Sequence, residues 1–109
     1  MKRTFVEATG FTAKLKKLGA PELLHKIQKA ILDNPEVGDV VEGSGGVKKF
    51  RVAKEGSGKS GGFRVFYLDI PSRQVTHLLA ILAKNEKENI SSEEKNEMKI
   101  EAKKLKARR

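Results

Sequence analysis

Apolar residues recur along this chain with two different spacings. Phe11, Leu15 and Leu18 fall at i, i+4 and i+7, which is one face of an α-helix. Leu23, Leu24, Ile27, Ala30 and Ile31 form the stripe of a second helix. Thr9 or Thr12 is placed to cap the first helix, and Gly19 to close it. Pro21 suits the opening turn of the second. Asn34-Pro35 ends that helix, because a residue before proline avoids the α region. Beyond Pro35 the period changes to two, the alternation of strand side chains. The predicted extended segments are Asp39 to Glu42, Val47 to Ala53, Phe63 to Leu68 and Val75 to Ala83, with Thr4 to Glu7 as a further strand at the start. Ser44-Gly45-Gly46 and Pro71-Ser72-Arg73 are turns between them. Val75 to Ala83 is the most apolar strand and is expected near the centre of the sheet. Helical spacing returns with Met98, Ala102 and Leu105, preceded by Ser91 and Glu94 at capping-box spacing. Segregated elements in this order predict an α+β fold. Two N-terminal helices would pack on a twisted, mostly antiparallel sheet of about four to five strands, followed by a C-terminal helix. A length of 109 residues corresponds to a single domain over residues 1–109.

Charge changes this picture. The net charge is +9 with 38% hydrophobic residues, the balance of a folded protein whose partner is anionic. Two short stretches carry it. Gly45 to Tyr67 has six basic residues against Glu55, and Lys99 to Arg109 has six against Glu101, so each is +5 and the remainder sums to −1. Concentrated patches on a nearly neutral body point to a directed partner rather than to solubility alone. No cysteine is present, so neither a disulfide framework nor thiolate chemistry is available, which is compatible with a reducing cytosol. The opening MKRTFVEATG lacks the apolar core of a signal peptide. The longest apolar run, Leu78 to Ala83, is far too short to span a membrane. A cytoplasmic protein without a membrane partner is expected.

In the first strand of the basic hairpin Phe50 and Val52 share one face and Lys49 and Arg51 the other. In the second, Arg64 lies opposite Phe63 and Val65. A ribbon with an apolar side and a cationic side suits a polyanion. Gly58-Lys59-Ser60 resembles the end of a P-loop, but Ala53 stands where that pattern needs its first glycine, and a strand follows where it needs a helix. The glycines here instead let the backbone turn and approach a partner. His25 and His77 are far apart and have no acidic cluster near them, so each reads as a packing or surface residue rather than a metal ligand or proton carrier. Lys84, Asn85 and Glu86 directly follow the apolar strand, where catalytic groups often border a cleft.

The run GDVVEGSGGVKKFRVAKEGSGKSGGFRVFYL, followed by LLAILAKNEKENIS, is similar to the HigB-type branch of the RelE toxin superfamily. The resemblance covers nearly the whole chain. It implies a RelE-like fold and ribosome-dependent, metal-independent cleavage of mRNA in the ribosomal A site. It also implies inhibition by a cognate antitoxin, in this branch one with a helix-turn-helix DNA-binding domain, and no cofactor. Metal-free RNA cleavage uses the substrate's 2′-hydroxyl to attack the adjacent phosphorus. The enzyme then has to accept that proton, stabilise charge on the phosphorane and protonate the leaving oxygen. Arginine and lysine suit the second task, and Arg64 is the first choice, with Arg51 second. Lys59, Lys84 and Glu86 are the acid–base candidates, a lysine serving only if its pKa is lowered. Lys48, Lys49, Arg51, Lys54 and Asn85 are expected to bind RNA, and Tyr67 or Phe66 to stack on a base, although an aromatic in a strand more often packs in the core. RelE-like members often carry arginine at the place of Asn85, and some carry a catalytic tyrosine where this chain reads Asn89-Ile90-Ser91. Two other classes remain at this point: a non-catalytic RNA- or ribosome-binding module of the same fold, and an interaction subunit whose basic C-terminal helix meets DNA or an acidic partner.

Overall fold

A computed structural model describes residues 3–53, 62–83 and 90–108. Five strands form one mixed sheet in the order β1-β5-β4-β3-β2. They are β1 Thr4–Glu7, β2 Asp39–Val40, β3 Lys48–Ala53, β4 Gly62–Ile70 and β5 Val75–Ala83. Strands β1 and β5 run parallel, and the other three pairings are antiparallel. The apolar strand β5 has a neighbour on each side, as its composition demanded. The helices are α1 Thr9–Lys17, α2 Leu23–Asp33 and α3 Ser92–Ala107. The α+β expectation holds, C-terminal helix included.

Each helix end has a local cause. The Gly19 N–H bonds the Lys16 carbonyl at 3.0 Å and the Ala20 N–H bonds that of Leu15 at 3.5 Å. With Gly19 at φ +65°, this is the paired closure that favours glycine after a helix. Ser91 and Glu94 form the expected capping box, with bonds of 3.1 and 3.0 Å. The start of α1 differs from expectation. Ala8, not a threonine, occupies its cap position, because the Ala8 N–H is tied to the Leu78 carbonyl at 2.9 Å. Strand β1 therefore runs straight into the helix. The Thr12 hydroxyl instead donates to the Glu7 carboxylate at 2.9 Å. Helix α2 opens at Leu23, so Pro21 lies in the preceding turn rather than in the helix.

The sheet separates two cores. Helices α1 and α2 cover one face, where Phe11, Leu15, Leu23, Ile27 and Ile31 meet Val52, Phe63, Val65, Tyr67, Leu78 and Ile81. Helix α3 covers part of the other, where Ala102 and Leu105 meet Val41, Val47, Phe66, Leu68 and Ile70. Between β4 and β5 the register shifts at Phe66/Tyr67, so Leu79 is an extra residue between Leu78 and Ala80. This bulge lets Leu79 and Ala80 both serve the α3 side. Helix α3 is fastened at its C-terminal end. The Arg73 guanidinium donates to the carbonyls of Leu105 and Lys106, both at 2.7 Å, satisfying groups that the last turn leaves open. Along its length the helix packs on the turn between β2 and β3. A side chain at Gly45 would start 3.4 Å from Ala102 and 3.5 Å from Lys99, at φ +78°, so both space and backbone call for glycine.

Candidate functional site

On the α3 side, each hairpin strand reads apolar beneath the helix and basic beyond it. Strand β3 and the residue before it present Val47, Lys49 and Arg51 in turn; β4 presents Leu68, Phe66 and Arg64. The register pairs Lys49 with Phe66 and Arg51 with Arg64. Residues directly opposite in an antiparallel pair have Cβ atoms about 5 Å apart, and like charges there are unfavourable. Two guanidinium groups are nonetheless placed side by side on the part of the sheet that α3 does not cover.

A cavity of about 270 Å³ opens where the helix stops. Its walls are Val40 of β2, Val41 and Glu42 just after it, Lys49 of β3, Arg64 and Phe66 of β4, and Ile90 and Lys95 at the start of α3. That is slightly below the roughly 300–1,000 Å³ of pockets that enclose drug-sized ligands, so it suits one nucleotide unit of a longer strand. Among the described residues, three cations and one carboxylate share it. Two of these groups escaped the sequence reading. Glu42 looked like an ordinary strand end. Lys95 continues the Met98, Ala102, Leu105 stripe back by one turn, a signal present in the helical spacing. Met98 is itself half-buried against the second core.

The other expected residues fall into three groups. Arg64 and Lys49 line the cavity, with Arg51 paired beside Arg64. Lys54, Lys59, Lys84, Asn85 and Glu86 lie outside the described residues. Lys48 and Tyr67 are corrections. Lys48 projects to the α1–α2 face, where its ammonium stands 3.7 Å from the Glu36 carboxylate. The odd–even alternation that turns Lys49 into the cavity turns Lys48 away from it.

Tyr67 has no exposed surface and offers no face to a base. Its hydroxyl donates to the Pro35 carbonyl at 2.9 Å and accepts from the Gly38 N–H at 3.0 Å. Its ring meets Phe50 edge-on at 5.6 Å. Gly38 is needed there, because a Cβ would sit 2.9 Å from the Tyr67 ring and 2.8 Å from the Lys49 carbonyl. Burial pushes the Tyr67 hydroxyl above its ordinary pKa. The histidines stand apart from the cavity. His25 is exposed on α2. His77, on β5, has its pKa lowered first by burial and then by Arg108.

Residues 12–109 match the family described as the RelE toxin of the RelE/RelB toxin–antitoxin system. The chain belongs to the RelE toxin family. Two solved structures show the fold of this RelE toxin shared at low identity. A doubly arginine-substituted E. coli toxin RelE in the free state superposes with a TM-score of 0.61 at 17% identity, over 93% of this chain and 97% of that one. The intact E. coli RelBE toxin–antitoxin complex matches with a TM-score of 0.54, also at 17% identity, over 72% of this chain and 93% of the matched one. Among the described residues of this RelE toxin, no helix is long and apolar enough to cross a membrane.

Proposed function

We propose that this RelE-family toxin is an mRNA endonuclease that cuts transcripts in the ribosomal A site, halts translation, and is neutralised by a cognate helix-turn-helix antitoxin. The proposal places it in the cytoplasm, where its substrate is. The observation that carries the reading is the gathering of Lys49, Arg64 and Lys95 around one nucleotide-sized cavity, beside the Arg51–Arg64 pair. Family membership and the fold shared with the E. coli RelBE complex support the toxin and antitoxin parts of it.

The chemistry follows from the charges. A phosphate entering the cavity meets Arg64, with its cross-strand partner Arg51 next to it, and the planar guanidinium fork suits bidentate phosphate contacts. As the 2′-oxygen bonds to phosphorus, negative charge grows on the non-bridging oxygens, and Arg64 is placed to stabilise it. The 2′-hydroxyl proton passes to a base, for which Glu42 is the carboxylate in the cavity wall. The bond from phosphorus to the 5′-oxygen breaks, and an ammonium such as Lys49 or Lys95 protonates the leaving oxygen. The products are a 2′,3′-cyclic phosphate and a 5′-hydroxyl. Neither histidine lines the cavity, and alignment of the attacking oxygen by the ribosome supplies much of the rate. Naked RNA is then a poor substrate.

The test is induced expression with mapping of transcript 5′ ends. Arg64→Ala should lose cleavage by about a hundredfold to a thousandfold while still binding ribosomes. Glu42→Gln should lose about 10²–10⁴. A parent with no ribosome-dependent cleavage at all would instead identify a non-catalytic ribosome-binding module.

A further inference from the structure

Helix α3 gathers four of its five lysines on one flank. Lys95, Lys99, Lys103 and Lys106 fall within about 80° of arc on one flank, given the 3.6-residue turn. Glu93, Glu94, Glu97 and Glu101 lie roughly 120–160° from the middle of that arc, and Lys104 is the one lysine among them. Helix neighbours stand at i±3 and i±4, and the places so related to Lys99 and Lys103 hold no carboxylate, but Lys95, Lys99, Lys103 and Lys106 themselves. A helix built only for its own stability would alternate acid and base at that spacing, since like charges at i, i+4 oppose it. Among the described residues, none of the four lysines has a carboxylate within ion-pair distance.

The fold decides where each flank points. The basic flank faces the β2–β3 turn, with the Lys106 ammonium bonded to the Gly45 carbonyl and Lys99 packed on Gly45. On the acidic flank, Glu101 is close enough to β5 to act on His77. Lys95 stands in the cavity wall, and from it the row runs along the helix for about 16 Å at 1.5 Å per residue. Lys99 and Lys103 are exposed.

We infer that this flank of α3 is a track for the phosphate backbone of an RNA strand leaving the cavity. The assignment rests on the reading of the cavity as an RNA site and extends it. The occupant is single-stranded RNA because the row is continuous with the cavity at Lys95, and because lysines one helical turn apart match successive phosphates rather than a folded acidic surface. Apolar positions are sparse on this flank, so charge rather than burial supplies the contact.

The test uses full-length toxin and a labelled, uncleavable 2′-O-methyl oligouridylate on the order of a dozen nucleotides long, within the site sizes of single-strand binders. A second, very short oligonucleotide fills the cavity alone. Lys99→Gln combined with Lys103→Gln removes two contacts, so the slope of log K against log salt should become shallower by about 1.4, at about 0.7 per phosphate. Binding of the short oligonucleotide should not change. Glu97→Gln with Glu101→Gln, on the opposite flank, should leave the parent slope. A parent slope in the lysine variant would overturn the track, and loss of an acidic protein partner in its place would give the flank to that protein. An equal loss on the short oligonucleotide would overturn it too, since the effect would then come through the cavity. Circular dichroism confirms that the variants are folded. Arg64→Ala keeps the two readings apart: retained cleavage would remove the proposed catalytic site and leave the binding slope to decide the track.

Discussion

The two faces of the sheet are built from the same strands but solve different problems. The face under α1 and α2 is apolar over most of its length, with Lys48 and Asp69 towards its ends, and the phenol of Tyr67, its one buried ring hydroxyl, has both a donor and an acceptor partner. The face under α3 is apolar only halfway. Val47, Leu68 and Ile70 lie beneath the helix, and the same rows continue as Lys49, Arg51 and Arg64 beyond it. A helix that stops short leaves charged side chains beside water and still gives them a wall. Stability is thus concentrated on one face and the proposed chemistry on the other. The sheet between them keeps Lys49 and Arg64 at fixed separation, as precise positioning of reacting groups requires.

The contrast is broken most directly at Phe11, which has no exposed surface. Phe11→Ala should cost about 3–5 kcal/mol, seen as a lower urea midpoint with an unchanged slope, while cleavage per folded molecule stays near that of the parent. Arg64→Ala should do the reverse. Its unfolding free energy should fall far less, by about 1 kcal/mol, the centre of the range for single substitutions, as its cleavage collapses. A parallel loss of both properties in either variant would mean that the faces are not separable.

A smaller effect is expected at Tyr67. Tyr67→Phe strands the Pro35 carbonyl and the Gly38 N–H, at a cost of about 1–3 kcal/mol. The folded state holds this phenolic proton more tightly than the unfolded chain does. Its contribution is therefore complete below the ordinary tyrosine pKa of 10.0 and is lost as pH rises through the folded value. The gap between parent and Tyr67→Phe should accordingly change at alkaline pH and be constant near neutrality.

The smallest effect concerns His77, on the α3 side. Burial, reinforced by Arg108, lowers its pKa from 6.5. The stability tied to its neutral form is present above 6.5 and declines as pH falls through the folded value. His77→Gln should flatten that decline in a series of thermal melts. An unchanged profile would mean that His77 titrates alike in the folded and unfolded chain.

Much of this arrangement is local and could be read from residue order alone. Asn34-Pro35 ended α2, the Ser91 and Glu94 pair opened α3, and nine apolar-rich residues marked β5 from Val75 to Ala83. Alternation alone put Lys49, Arg51 and Arg64 opposite the core. These signals act within a few residues, so they survive without tertiary context. The start of α1 at Ala8 did not, because a hydrogen bond to distant Leu78 outweighed the nearby threonines. Nor did Tyr67, whose hydroxyl depends on partners 29 and 32 residues away. The cavity belongs to the same class. Glu42, Lys49, Arg64 and Lys95 come from four separate segments, and strand pairing together with the docking of α3 makes them neighbours. Period and capping chemistry settle which elements form and which side of a strand is charged; only long-range packing settles which charges meet.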